Sequence, residues 1–361
     1  MKKRFLVLCC GIMLVLISLG GCNNEEVQEL PTTDEVEQSA EELTNDVTEL
    51  GTSEVSTSEV VELNIGVLQG PSAMGMVGLM DQVDNGNISD MTYHFTLAGS
   101  PDEVIPELVQ GNFDIVAVPS NVASVLYNNT GGDIQVIAIN TLGILHIVEA
   151  GDSITSVVDL RGRTIYASGN SATPEFVLNY ILEGNGLDPQ NDVNIEWLAE
   201  HTEVAARMAM SEDGVAMLPQ PFVTVAQTEN DDLRIALDLT EQWEHVQANA
   251  DESPSALIMG VLVARRELIE QSPVAITDFL DHFAESVQFV NGNIEEAAVL
   301  IERYDLFPAP IATRALPYSN ITFIAGNEMK ELFAGYLRVL YEQNPESIGG
   351  ALPDDDFYYI P

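Results

Sequence analysis

Five short turns carry residue types suited to holding a small molecule: Gly70-Pro71-Ser72-Ala73, Gly99-Ser100, Pro119-Ser120-Asn121, Gly169-Asn170-Ser171-Ala172-Thr173 and Pro219-Gln220-Pro221. Glycine lets a ligand approach the backbone, and Ser, Thr, Asn and Gln offer hydroxyl and amide partners. Each turn follows a run that reads as a strand, and several open a run that reads as a helix. They therefore stand at carboxyl ends of strands, where open α/β sheets bind ligands. They also stand at helix starts, whose free N–H groups favour oxygens and anions. Taken singly each is also an ordinary cap, and Ser100 and Thr173 suit that role. Convergence of five at one sheet end is what points to a binding site. His201 lies beside them in a loop opening a helix, as a ligand contact or as a structural residue.

Signatures of catalysis are missing. The chain has no GxSxG, HExxH, P-loop or GxGxxG pattern. His94, His146, His201, His245 and His282 are scattered, with no pair at metal-ligand spacing, so neither a metal nor a cofactor is expected. Cys9, Cys10 and Cys22 are all N-terminal, which excludes a disulfide scaffold, a Cys-based zinc site and a thiol nucleophile from the rest of the chain. His146, within an Ile-Leu-His-Ile-Val run, reads as a satisfied core residue, and Met74 as core or pocket wall. Arg161 and Arg163 read as solvated, and Arg207 as half of a structural ion pair. Thirteen Lys and Arg stand against 57 Asp and Glu, a formal charge of −44. That excludes nucleic acids and anionic lipid surfaces as partners, since both need clustered cations.

The elements that must position the turns follow from periodicity. Strands are predicted at Leu63–Leu68, Met91–Leu97, Asp114–Val118, Ile134–Asn140, Thr164–Ala167, Val193–Leu198, Gly214–Leu218 and Ala256–Ala264. Helices are predicted at Ala73–Val83, from Ser100-Pro101-Asp102-Glu103 (a capping box with Pro at the first helical position), from Thr173 to Leu182, and from Thr202. Others follow at Val274–Phe289, Ile294–Tyr304 and Glu328–Glu342. The alternation predicts an α/β fold with largely parallel sheets. The two stretches also match each other: Ser100-Pro101-Asp102-Glu103-Val104 and Val116-Ala117-Val118-Pro119 correspond to His201-Thr202-Glu203-Val204-Ala205 and Ala216-Met217-Leu218-Pro219. This predicts an internal repeat. The acidic, aromatic tail Asp354–Tyr359 reads as a surface strap or a frayed end.

The N-terminus has a separate logic. Met1-Lys2-Lys3-Arg4 is cationic, Phe5–Leu19 is apolar but short for a membrane span, and Leu19-Gly20-Gly21-Cys22 closes it. The order resembles a bacterial lipoprotein signal peptide (1–22), with Cys22 the lipidated first residue of the mature chain. Residues 23–60 carry twelve acids, no Lys or Arg and no aromatic residue. Such a segment cannot bury enough apolar surface to offset its ordering entropy, so a disordered acidic tether is expected. The body would then sit outside the cell, lipid-anchored to the membrane.

Cys22 with its tether, and the segments Leu63–Gly75, Ala98–Asn121, Val157–Glu175 and Ala216–Thr224, together resemble the substrate-binding lipoproteins of ABC importers. The likeness is to the SsuA-like branch, which binds sulfonates, nitrate and thiamine precursors on the type II periplasmic-binding fold. It covers about Glu62 to Tyr341. The resemblance implies two lobes, each an α/β sheet, joined by two hinge strands that fit Ile137–Leu145 and Ala256–Ala264. Lobe one would be 61–139 and 260–361, and lobe two 140–259. The resemblance also implies Gly70, Pro71, Ser72 and Ala73, Ser120 and Asn121, and Ser171, Ala172 and Thr173 as ligand-binding positions. Gln220 stands where the family often has Glu, which removes a charge and weakens the case for a cationic ligand. No Arg is fixed in the cleft by motif, which weakens the case for an anion. Tyr166, Trp197, Phe222 and Trp243 could stack on a flat heterocycle or belong to the core. The implied partners are a small molecule and ABC permease subunits, with the receptor a monomer. Two other readings stay open: an enzyme on the same fold, akin to menaquinone- or thiamine-pathway enzymes, and a surface sensor lipoprotein with no transport role.

Overall fold

A computed structural model describes residues 61–248 and 255–361 of the chain. The expected signal peptide, lipidated Cys22 and tether lie outside those residues. The first half alternates β1 (Val61–Leu68), α1 (Pro71–Asp84), β2 (Met91–Ala98), α2 (Pro101–Gln110), β3 (Ile115–Pro119), α3 (Ser120–Thr130) and β4 (Ile134–Leu142). The chain then enters a second sheet through β5 (Leu145–Ala150). It continues β6 (Thr164–Ser168), α4 (Thr173–Gly184), β7 (Asn194–Leu198), α5 (His201–Ala209), β8 (Val215–Pro219), α6 (Phe222–Glu229), β9 (Leu233–Asp238) and α7 (Leu239–Ala248). It returns with β10 (Ile258–Arg265), α8 (Arg266–Gln271), α9 (Pro273–Gly292), α10 (Ile294–Arg303), α11 (Ala309–Ala315), β11 (Ile321–Ile324) and α12 (Gly326–Gln343).

The six-stranded sheet has the order β11-β4-β10-β3-β1-β2, and the five-stranded sheet β7-β6-β8-β5-β9. This is a two-lobed α/β fold. The expected repeat is present in the order: β2-β1-β3 and β7-β6-β8 are equivalent parallel triplets, each flanked by an antiparallel strand. The expectation of largely parallel sheets needs correction. β10 pairs antiparallel with β3 and β4, and β5 with β8 and β9. These are the strands that carry the chain between the sheets, and a strand arriving from the other sheet is not bound by the crossover geometry that keeps βαβ units parallel.

The first crossing is not one continuous strand. β4 ends at Leu142 and β5 begins at Leu145, in different sheets. Gly143 lies between them, and a Cβ there would meet Thr240 Oγ1 at 2.2 Å and Leu257 Cδ2 at 2.8 Å. Only glycine fits this crossing without moving its neighbours.

Burial follows the patterns that predicted the elements. Leu63, Ile65 and Val67 of β1 are fully buried on one face, and β3 is buried from Ile115 to Val118. The capping box at Ser100 is formed: Glu103 accepts from the Ser100 backbone N–H, and Pro101 takes the first helical position. The tail is a strap. Phe357 and Tyr358 are buried against Phe333, and Tyr359 N–H donates to Val136 O at 2.9 Å. Helices α3, α6, α7, α8 and α11 and strands β9 and β11 were not predicted. The first two follow directly on polar turns that read only as loops.

Candidate functional site

A cavity of about 460 Å³ opens between the two sheets, at the ends of β1, β3, β6 and β8. Of the thirteen expected site residues, it brings together Gly70, Pro71, Ser72, Asn121, Ser171, Ala172, Thr173, His201 and Gln220. Ala73, Ser100, Ser120 and Asn170 do not line it. Ala73 is fully buried in the core under α1. Ser100 is occupied as the α2 cap. Ser120 is buried, donates to Ile258 O at 2.6 Å and lies 3.3 Å from the Tyr336 hydroxyl. Asn170 is exposed and accepts from the Ser171 hydroxyl.

Two of the lining residues are committed to the fold. Asn121 donates to Ser347 O at 3.1 Å, and its carbonyl oxygen accepts from the Thr173 hydroxyl at 2.9 Å. That buried bond joins the start of α3, in the first lobe, to the start of α4, in the second. Tyr336 of α12 lies fully buried beside it. Burial pushes the Tyr336 phenol up to about 12, partly opposed by its bonds to Ser120 and Thr173.

Gln220 and His201 are held differently. Gln220 is 1 % exposed, and its carbonyl oxygen accepts from the Thr224 hydroxyl at 2.9 Å. Its amide NH₂ is left over on a residue that lines the cavity. The peptide bond from Gln220 to Pro221 is cis. His201 Nδ1 is hydrogen-bonded to the Ser168 hydroxyl, and the ring lies 5.4 Å from that of Phe222. Burial lowers the His201 imidazole to about 4, so it is neutral at pH 7.

That shift has a measurable consequence. The unfolded chain takes up the histidine proton near its ordinary value of 6.5 and the folded one only near 4. Between those values the unfolded state binds more protons, so stability is lost as pH falls. The His201 contribution is about 3 kcal/mol, present above pH 6.5 and lost by pH 4. Denaturant titrations at both pH values should show His201→Gln losing less stability than the parent chain over this range. Equal losses would mean the imidazole is solvated.

Several lining residues were not expected. Thr141, Ile144 and Leu145 come from the β4–β5 crossing, and Met259 and Gly260 from β10. Thr141 and its neighbour Asn140 are adjacent polar residues directly after the apolar run Val136–Ile139, which is the signal that could have found them. Of the aromatic candidates, only Phe222 lines the cavity. Trp243 is core, and Trp197 packs at the core edge. Tyr166 carries the Arg207 guanidinium 3.8 Å above its ring, a cation–π contact where an ion pair was expected. Arg161 is ion-paired with Asp192, and Arg163 donates to the Ser153 hydroxyl, so neither is simply solvated. His146 is satisfied by Ile144 O and Asp238, and Met74 is core rather than wall. No group of His, Cys, Asp and Glu among the described residues could hold a metal ion.

Residues 76–303 match the family model described as ABC transporter, phosphonate, periplasmic substrate-binding protein. None of the curated proteins matches the chain. Solved structures with this fold include an ABC transporter protein from Parabacteroides distasonis, 23 % identical with a TM-score of 0.67, covering 83 % of this chain and 98 % of that one. The periplasmic aliphatic sulphonate binding protein SsuA from Escherichia coli is 16 % identical with a TM-score of 0.65, covering 83 % and 92 %. The ligand-binding component of an ABC-type import system from Staphylococcus aureus, solved with zinc bound, is 13 % identical with a TM-score of 0.62, covering 84 % and 97 %. The family model spans most of the body and its helix starts face one cleft, so the chain belongs to the periplasmic substrate-binding proteins of phosphonate-type ABC transporters.

Proposed function

We propose that this substrate-binding component of an ABC importer captures a small organic molecule, a heterocycle or a sulfonate-like compound, in the cavity between its lobes. The observation that carries this is the cavity's composition: residues from both lobes meet around a space of the size that small ligands need. Contacts to both lobes select the closed arrangement by hinge motion about the two crossings, and the closed form docks on the permease. Lobe one comprises 61–139 and 260–361, and lobe two 140–259. The protein acts as a monomeric receptor and not as an enzyme, a reading supported by the family's description as substrate-binding proteins.

The chain is held to the outer face of the membrane through lipidated Cys22, with residues 23–60 as tether. The Lys2-Lys3-Arg4 start, the apolar run and the closing Gly-Gly-Cys support this. No helix among the described residues is long and apolar enough to cross a membrane.

The test is to fill the cavity. Ala172 lines it at the cap of α4 with ordinary backbone geometry. Ala172→Trp should abolish uptake of the cargo by cells, a loss of about a hundred-fold or more in affinity, while unfolding stays within about 1 kcal/mol of the parent. Unchanged uptake at normal protein levels would move the binding site elsewhere.

A further inference from the structure

We infer that the cleft holds an oxyanion whose organic group is apolar and uncharged, an alkyl or aryl phosphonate or sulfonate, and that it discriminates against the aminoalkyl counterparts. This deepens the proposed function and rests on the cavity being the ligand site.

Half-buried apolar side chains in the wall carry the inference. Leu68, Val122 and Met259 pack on the core shared by the two lobes, and all three line the cavity. Phe222 packs on the core of the second sheet and lines it too. Each keeps part of its surface accessible. They come from β1, α3, β10 and α6, so the apolar wall draws on both lobes. An alkyl or aryl group placed against it removes apolar surface from water on both sides of the contact.

An ammonium on that group would find no counter-charge. Among the described residues that line the cavity, none is Asp or Glu. Helices α2, α4 and α5 border it through Pro101, Pro174 and His201, and each carries a glutamate in its first turn. All three glutamates turn back onto their own helix start. Glu103 accepts from the Gly99 and Ser100 N–H groups at 3.1 Å, Glu175 from the Ser171 N–H at 2.5 Å, and Glu203 from the Ala199 N–H at 3.1 Å. None of the three lines the cavity. Gln220 does line it, but the Thr224 N–H and hydroxyl both donate to its carbonyl oxygen, at 3.4 and 2.9 Å. That leaves its NH₂, a donor, which an ammonium cannot use. Burying an ammonium without acceptors costs far more than burying a methyl group.

The anionic end is served without a cationic side chain. Helices α1, α3 and α6 have no acid in their first turns, unlike α2, α4 and α5. The N–H groups of a helix's first turn have no acceptor within the helix, and they favour oxyanions. The Thr141 hydroxyl adds a donor: it lines the cavity, is 2 % exposed, and has no partner among the described residues. The cleft thus divides its work, with donors for the oxyanion and carbon for the rest of the ligand.

The test measures dissociation constants of the full chain for two matched pairs: propylphosphonate against aminoethylphosphonate, and propanesulfonate against aminoethanesulfonate. Within a pair the anionic head is the same, and a methyl group stands where the other member has an ammonium of similar size. The chain's charge of −44 favours the ammonium member at long range, so a preference for the propyl member reads the wall and not the overall field. The expected result is that at least one pair binds, with the propyl member tighter by about ten-fold or more. Affinity for the head that binds should also climb about four-fold per methylene from the methyl to the propyl compound. Met259→Glu, shown to be folded by its thermal midpoint, should narrow the preference, because it brings a carboxylate to the wall. A folded Met259→Glu with the parent's preference would overturn the assignment of the organic group to this wall. Equal affinity within a pair, or tighter binding of the ammonium member, would overturn the inference and leave the receptor reading standing. Binding of none of the four would overturn it as well, and uptake by Ala172→Trp then decides the receptor reading by itself.

Discussion

Glu149→Ala is expected to destabilise the folded chain by about 2–4 kcal/mol. Glu149 is the penultimate residue of β5, and its side chain is 1 % exposed. Its carboxylate accepts from the Ser153 N–H at 3.1 Å, the Ile154 N–H at 3.0 Å and the Ser153 hydroxyl, and Arg234 Nη2 lies 2.6 Å away. Burial alone would raise this carboxyl. The hydrogen bonds from Ser153 and Ile154 and the Arg234 charge outweigh burial and hold it below the usual range. Removing it leaves two backbone donors and part of a guanidinium without their acceptor. Arg234 is about one-third exposed, so solvent recovers some of its charge and the cost falls below that of a fully buried pair. Because the carboxyl is lowered on folding, its stabilisation is full above the ordinary carboxylate value and is lost as pH falls through the folded one. Glu149→Gln should therefore cost less at pH 4 than at pH 7. Denaturant midpoints give both numbers. A loss below about 1 kcal/mol at pH 7 would show that the 151–156 loop is organised by something else.

The fold was readable wherever a segment's period and its caps agreed. The β1 alternation, the capping box at Ser100 and the apolar run of β10 each have one physical outcome, and each formed. Helices α3 and α6 escaped because Ser120-Asn121 and Pro221-Phe222 carry turn chemistry, and their helical faces are short. Strand β9 escaped because Leu233–Asp238 mixes charge with apolar residues along a partly exposed strand. Its pairing with β5 is a tertiary fact that local pattern does not contain.

The site was readable in part for the same reason. Turns at strand ends converge by topology, so Ser72, Thr173 and Gln220 could be placed from sequence alone. What each polar group does could not. Asn121 and Thr173 bond to each other, and Ser120 bonds to β10, because partners far along the chain settle there. The reverse error concerns Asn140 and Thr141. They belong to a crossing strand rather than a turn, so a search for turns passed over the buried Asn140 Oδ1 and Thr141 Oγ1, which have no hydrogen-bond partner among the described residues.

Trp243→Ala is expected to cost about 3–5 kcal/mol and to lower the thermal midpoint by about 10 °C. Trp243, on α7, is fully buried, with its ring 4.5 Å from Tyr180 of α4 and 5.5 Å from Tyr336 of α12. Helices α4 and α7 flank the second sheet, and α12 packs on the first. The indole therefore fills the joint between lobes, within one apolar core running from Val136 and Phe333 to Ile165 and Ala167. The same seam holds the Asn121–Thr173 bond. The opposite flank is thinner: Phe222 meets Phe307 edge-on at 6.3 Å, and Arg314 donates to Thr228 at 3.0 Å near the surface. Under the proposed hinge closure one flank stays packed while the other parts, and the Trp243 seam is the more deeply buried of the two. Because the core is shared, unfolding of the variant should remain a single transition. A double-mutant cycle with Tyr336→Phe and Tyr336→Ala should give coupling of about 1 kcal/mol for the ring and little for the hydroxyl. Two separate transitions, or a loss under about 1 kcal/mol, would mean that each lobe holds its own core and that the seam is no pivot.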